Sequence, residues 1–428
     1  MRPTREEASG ATRRPVEVAV NNRKECRPLA AGMAAGARLA RRFHATLPDA
    51  APTPLVALPA LARRLGLGGI HVKDESRRFG LEAFKGLGSS WAVARVLGER
   101  LGLLPENLSL EALASAEARE RLGRLTFVTA TDGNHGRGLA WAARLLGHAA
   151  RVFMPAGAAE ARVSAIRAQG AECVVTDLAY DDAVRHAAAF ARERGGILVQ
   201  DTAWEGYTRI PGWIMEGYGT LALEVVEQLA ARNRGRSGAP WPSHVFLQAG
   251  VGSIAAAMVD TLGAALAAAG APMPRFVSME PQAADCVFRS VAAGKGERET
   301  CPGRLETLMA GLSCGEVSSL AWPILRAGLD AACACTDQMA QRGMALLARP
   351  AGNDPAVVSG ESGAVGAGLL EWLMQPEGGA DGPHAARARA LLGLEPGAHV
   401  LLISTEGATD PAVWRAATGV SVTEALGA

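Results

Sequence analysis

The chain has 428 residues, 49% of them hydrophobic and 20% charged, and its 44 basic and 43 acidic side chains leave a net charge of +1. That balance supports a sizeable core and one or two folded domains, and it excludes a chain disordered throughout. Neither nucleic acid nor an anionic membrane is an expected partner, and no apolar run approaches the ~20 residues that a membrane span needs.

The segment from Met1 to about Ala30 is polar and weakly periodic, and reads as an extension. Its start, Met1-Arg2-Pro3-Thr4-Arg5-Glu6-Glu7, has no apolar core, so no secretory signal is expected and the cytoplasm is the expected location. From Thr53 onward, short β-branched runs alternate with longer Ala/Leu-rich stretches. The run Gly69-Ile70-His71-Val72 leads towards a helix expected from near Leu81, which puts Lys85 in its first turn. Leu125 to Thr129 leads through a Gly/Asn turn into a helix from Arg137 to Leu146. Ala150 to Pro155 precedes a helix from Ala159 to Gln169. Further strands are expected at Glu172 to Val175, Gly196 to Gln200, His244 to Gln248, Arg275 to Glu280 and His399 to Ser404. Strands alternating with helices predict βαβ units and an α/β class. Gly352 to Gly368 and Gly378 to Gly382 read as loops. The seven cysteines (Cys26, Cys173, Cys286, Cys301, Cys314, Cys333, Cys335) show no metal-ligand spacing, so no metal site is expected.

Chemistry in such folds sits where strands end and helices begin, and four of these junctions are heavily loaded. The first holds Lys85, a cation where the helix macrodipole favours an anion, which suits an amine that reacts with a cofactor carbonyl. The second, Thr129 to Gly138, carries Asp132, Asn134 and His135 among three glycines. The third, Gln248-Ala249-Gly250-Val251-Gly252-Ser253, opens a helix from Ile254 to Leu262, and its backbone N–H groups form an anion cradle. The fourth, Ser404-Thr405-Glu406-Gly407, ends the last strand on a hydroxyl. An amine, a phosphate cradle, polar groups for a ring substituent and a neutral hydroxyl for a ring nitrogen are what pyridoxal 5'-phosphate asks of a protein. The dinucleotide fingerprint GxGxxG is missing.

The segment Lys73-Asp74-Glu75-Ser76-Arg77-Arg78-Phe79-Gly80-Leu81-Glu82-Ala83-Phe84-Lys85 resembles the cofactor-lysine segment of fold-type II pyridoxal-phosphate enzymes, and more narrowly of the diaminopropionate ammonia-lyases. Thr131 to Gly138, Gln200 to Tyr207, Met309 to Leu312, Ser359 to Ala364 and Ser404 to Gly407 match the same pattern, over roughly Ala51 to Asp410. The wider threonine-dehydratase group usually has Ser in place of Asp132 and lacks the Asp201-to-Tyr207 block. Residues 1 to about 30 have no counterpart in the resemblance, and Gly86 stands where relatives often carry a bulkier residue.

The resemblance implies two open twisted α/β domains with the cofactor in the cleft between them. Residues 31–95 together with 206–428 would form the large cofactor-binding domain, 96–205 the small one, and 1–30 an N-terminal extension. It implies a homodimer acting on a small amino acid, by α,β-elimination of 2,3-diaminopropionate to pyruvate and two ammonia. Alternatives are a serine/threonine dehydratase or another β-eliminating or β-replacing enzyme of this fold, or a non-catalytic cofactor-binding protein. Lys85 would hold the cofactor as a Schiff base, Asn134 contact the ring hydroxyl, Gly250, Val251, Gly252 and Ser253 cradle the phosphate, and Ser404 face the ring nitrogen. Asp132 and Asp201 are the candidate bases, on opposite faces of the substrate, and either could bind the β-ammonium instead. Without function, Asp132 would cap the following helix and Asp201 would make an Asx-turn. His135 faces the phosphate or packs, and Trp204 and Tyr207 wall the pocket or pack. Cys286 and Cys314 flank a loop as free thiols or as a bridge.

Overall fold

Two sheets organise the protein in a computed structural model that describes residues 14–25, 32–234 and 240–427. Cys26 and the rest of the expected extension outside residues 14–25 lie beyond those described. Among the described residues the larger sheet holds β1 (Val16–Val20), β2 (Leu55–Ala57), β3 (Gly69–Asp74), β8 (His244–Gln248), β9 (Arg275–Pro281), β10 (Ala331–Cys335) and β11 (His399–Ser404), in the order β1-β10-β9-β8-β11-β3-β2. The smaller sheet holds β4 (Thr126–Ala130), β5 (Ala149–Met154), β6 (Glu172–Val175) and β7 (Ile197–Leu198), in the order β6-β5-β4-β7. All pairings are parallel except β1 with β10 and β2 with β3, the two outer pairs of the larger sheet. The expected α/β class is present.

Strand order reverses between β8 and β11 in the larger sheet, and between β4 and β7 in the smaller. In open α/β sheets, ligands bind outside the carboxyl ends of strands at such switch points. The segments that follow these four strands begin at Ala249, Thr405, Thr131 and Val199, and they carry most of the residues singled out from sequence.

Three strands lie outside the expected pattern, each for a physical reason. β10 reads Ala331-Ala332-Cys333-Ala334-Cys335, without a β-branched residue, because it is buried between neighbouring strands where small side chains fit. β1 lies inside the segment expected as an extension and covers the β10 edge. β2 is three residues long and borders β3. The expected loop Gly352 to Gly368 is corrected in its second half, since Glu361–Leu373 is a helix. Its glycines serve contact: a Cβ at Gly368 would lie 1.9 Å from the Met339 carbonyl of the neighbouring helix Asp337–Ala348.

The charged residues after β3 turn inward. Lys73 is fully buried and its Nζ donates to Glu224 at 2.7 Å, to the Thr53 carbonyl at 2.7 Å and to Gln228 at 3.1 Å. The Arg78 guanidinium donates to both Glu75 oxygens at 2.9 Å and to the two Glu224 oxygens at 2.9 and 2.7 Å, and also reaches Thr53 Oγ1 at 3.0 Å. Two cations and two carboxylates thus tie β3 and the following 3-10 segment Glu75–Gly80 to the long helix Arg209–Asn233, which carries Glu224. Removing one member strands the others without water. Glu224→Ala is expected to lower the unfolding free energy by about 3–5 kcal/mol, measured by urea denaturation. A loss below about 1 kcal/mol, the scale of an exposed pair, would show that the network does not hold this corner together.

Candidate active site

The helix expected near Leu81 begins at Lys85 and runs to Leu101. The residues just before it are strapped to the end of β11: the Phe84 N–H donates to the Thr405 carbonyl at 3.1 Å, the Gly407 N–H to the Glu82 carbonyl at 2.8 Å, and Ala83 bridges Glu406. Lys85 is therefore the first residue of its helix, against the macrodipole. Its Nζ donates to the Asp201 carboxylate. Burial works against the Lys85 ammonium, but the Asp201 charge and hydrogen bond, with Tyr218 and Cys314, together outweigh it and hold the amine above the usual lysine range. Burial likewise opposes the Asp201 carboxylate, yet Lys85 holds it down to about 2.

Asp132 lines the same cavity as Lys85 and Asp201. The capping alternative does not hold, because the helix Asn134–Leu145 has no side-chain cap at its N-cap, Gly133. Thr131 Oγ1 instead accepts from the N–H groups of Gly133 at 3.0 Å and Gly136 at 3.2 Å. Asp132 is thus free of that duty. Burial pushes its carboxyl up to about 7, Arg162 opposes the rise, and the Asp201 charge adds to it. One carboxyl is pushed up towards neutrality while its neighbour is held ionised, an arrangement that separates acid and base roles.

The Gly250 turn follows β8 and opens the helix Ser253–Ala268. No protein acceptor takes the N–H groups of Gly250, Val251, Gly252 or Ser253 among the described residues, as expected at a helix start. The turn is stitched to the Asp201 segment: Ser253 Oγ donates to the Asp201 carbonyl at 2.8 Å, while buried Ser318 donates its N–H to the Val251 carbonyl at 2.9 Å and accepts from the Ala203 N–H at 3.1 Å. Cys286 and Cys314 are both free thiols. They sit on either side of this turn, with Cys286 Sγ 3.5 Å from the Gly250 carbonyl and Cys314 Sγ 3.2 Å from where a Gly250 Cβ would lie.

Asn134 lines the cavity, and its amide donates to Glu406, whose other oxygen accepts from the Ser362 N–H at 2.9 Å. Ser404 is fully buried, but Thr405 and Glu406, not Ser404, line the cavity. The Ser404 hydroxyl donates to Ser359 Oγ at 2.8 Å, which places it one layer behind the wall. His135 is buried and its Nε2 donates to the Val199 carbonyl at 2.8 Å. A carbonyl only accepts, so Nδ1 carries the lone pair in the neutral ring, and burial keeps the ring neutral. Trp204 and Tyr207 stack at 4.4 Å. The Tyr207 hydroxyl donates to the Leu198 carbonyl at 3.0 Å and accepts from the Gln200 N–H at 2.9 Å, bracing the turn that presents Asp201.

Arg162, Tyr180, Tyr218, Ser362 and Glu406 also line the cavity and were not assigned a role from sequence. Glu406 and Ser362 lie inside the quoted motifs, beside a hydroxyl and glycines that are the stronger local signal. Arg162 and the tyrosines sit on helices without a local motif, and tertiary folding alone brings them here.

These residues fit pyridoxal phosphate. The Gly250 turn offers unspent N–H donors, and a Cβ at Gly250 would sit tightly against Cys314 and the Gly311 carbonyl, at 3.2 and 3.3 Å. Among the described residues, the hydroxyls of Tyr218 and Ser362 are buried without a partner. A family model described as pyridoxal-phosphate dependent enzyme matches residues 46–406, and the chain belongs to that family. Within it, the chain is 47% identical to the diaminopropionate ammonia-lyase of Salmonella typhimurium over 373 residues, covering 87% of this chain and 89% of that one. It is also similar to the holo structure of Escherichia coli diaminopropionate ammonia lyase, with a TM-score of 0.85 and 44% identity over 95% of this chain and 97% of the other. A structure of that E. coli enzyme with an aminoacrylate-PLP azomethine reaction intermediate matches with a TM-score of 0.83 and 43% identity over 95% and 97% of the two chains.

The electrostatics of the acid pair can be measured directly. In the cofactor-free protein, the Asp132 carboxyl is expected to titrate near 7, and Asp201→Asn removes a neighbouring negative charge and so lowers that midpoint. Carboxyl carbon NMR across the neutral range reads both. An Asp132 midpoint unmoved by Asp201→Asn would mean that the two carboxylates do not interact.

Proposed function

We propose that this protein eliminates ammonia from 2,3-diaminopropionate, giving pyruvate and two ammonia, with pyridoxal 5'-phosphate held by Lys85. The observation that carries this reading is the Lys85–Asp201 ion pair in one cavity with Asp132. The 47% identity to a diaminopropionate ammonia-lyase supports the choice of substrate. The bound cofactor supplies an electron sink that acidifies the substrate Cα–H and promotes departure of the β-substituent.

The chain's own groups do the rest. The amides of Gly250, Val251, Gly252 and Ser253 hold the phosphate at a helix start. Asn134, oriented by Glu406, faces the ring hydroxyl, and Ser404 supports the Thr405–Glu406 wall from behind. N–H groups at the start of the Asn134–Leu145 helix suit the substrate carboxylate. Asp132, as carboxylate, takes the Cα proton from one face, and Asp201 takes it from the other. Two bases on opposite faces give access to both enantiomers. The β-ammonium departs as ammonia with the electron pair of its C–N bond, and Lys85 releases 2-aminoacrylate, which water converts to pyruvate and the second ammonia.

Among the described residues no helix is long and apolar enough to cross a membrane. A cytoplasmic homodimer belongs to the same proposal, as does a division of the chain into 31–95 with 206–428 and 96–205.

Pyruvate release from D- and L-diaminopropionate, compared with serine and threonine, tests the reading. Lys85→Ala is expected to abolish both turnover and the visible-edge absorbance of bound cofactor. Asp132→Asn is expected to slow one enantiomer by about 10²–10⁴-fold, and Asp201→Asn the other. Because a neutral carboxyl accepts no proton, kcat/KM for the Asp132-dependent enantiomer should rise with pH through about 7 and level off above it. Full turnover of both enantiomers by Asp132→Asn would remove it as a base, and a preference for serine or threonine would make the protein a dehydratase.

A further inference from the structure

Tyr218 is fully buried on the helix Arg209–Asn233 and lines the cavity, and among the described residues its hydroxyl has no hydrogen-bond partner. A buried donor-acceptor left unpaired destabilises a fold, and native proteins keep few of them. The ring cannot turn away. It meets Phe84 edge-on at 4.7 Å, and on another side it presses on Gly88, where a Cβ would lie 2.5 Å from Tyr218 Cε1. Both neighbours flank Lys85 in the chain, so the lysine and the phenol are held by one packing unit. The phenol stays neutral, since burial raises it above the ordinary tyrosine range and Asp201 reinforces this against Lys85.

In the proposed function, on which this step rests, the other ligand groups already have their places. The phosphate lies at the Gly250 turn, the ring hydroxyl at Asn134 and the carboxylate at the Asn134 helix start. What remains beside Lys85 and Asp201 is the substituent on the substrate's β-carbon. We infer that Tyr218 reads this β-substituent, its hydroxyl oxygen accepting a hydrogen bond from the β-ammonium of diaminopropionate. Acceptance favours the protonated form, in which the group leaves as neutral ammonia, taking the Cβ–N bonding pair. It also distinguishes an ammonium, which must donate, from a leaving group without a hydrogen.

Tyr218→Phe tests this by removing one oxygen from a clamped ring. kcat/KM for diaminopropionate is expected to fall about 10- to 100-fold, the scale of a hydrogen bond to a charged group. For β-chloroalanine, whose leaving chloride donates nothing, it is expected to stay within about twofold of the unmutated protein, as that hydrogen bond is not made. Equal losses with both substrates, or a loss with neither, would overturn the assignment. The cofactor-free protein gives a second readout independent of turnover. Its melting temperature should be unchanged or higher in Tyr218→Phe, whereas a clear fall would show that the hydroxyl serves a protein partner. Failure of the unmutated protein to release pyruvate from diaminopropionate would instead sink the proposed function, and this assignment with it.

Discussion

The buried quartet of Lys73, Glu75, Arg78 and Glu224 is the constraint from which the site follows. Four charges withdrawn from water are tolerable only if every donor and acceptor is matched, and here Thr53 and Gln228 complete the match. Such a cluster accepts one arrangement of its backbone segments. It locks the end of β3, the 3-10 segment and the long Arg209–Asn233 helix together. Lys85 lies one short turn downstream, so its amine inherits that rigidity. The charges of this motif look like chemistry in sequence, yet in the fold they supply position.

A second constraint governs the chemistry. Lys85 opens a helix and is half-buried, two circumstances that oppose its charge, and Asp201 is foremost among the groups that offset them. Burial lifts Asp132 towards neutrality, with Arg162 restraining the rise and the Asp201 charge adding to it. Burial and the Lys85 charge together set the two carboxylates apart. In the resting protein the Lys85 ammonium holds the Asp201 carboxylate in an ion pair.

The two sheets meet through these groups. Asp132 and Asp201 lie at the switch point of the smaller sheet, while the Gly250 turn and the Thr405–Glu406 segment lie at that of the larger. Ser253 and Ser318 stitch the Asp201 segment to the Gly250 turn, and Asn134 reaches across to Glu406. The cleft is thus a set of strand ends joined by polar side chains.

Much of this was legible in order along the chain. Strands expected at Glu172–Val175, His244–Gln248 and His399–Ser404 occur with those bounds, because β-branched and apolar runs ended by Gly or polar turns are a local signal. Helix starts differ from those expected by one to four residues, since capping by Thr131 and the strap from Thr405 to Phe84 are not local apolar patterns. β10 was missed because Ala and Cys carry no strand preference, and a central strand so tightly covered selects size over propensity. Sequence alone determined the junctions that would carry chemistry and the amine, carboxylates and glycines they hold, because those choices are written in neighbouring residues. Tertiary structure alone decided that Glu224 neutralises Lys73 and Arg78, that Asp201 takes Lys85, that Ser404 stands behind the wall, and that Tyr218 reaches the cavity. Each depends on which helix lies against which strand end, and no short stretch of sequence encodes that.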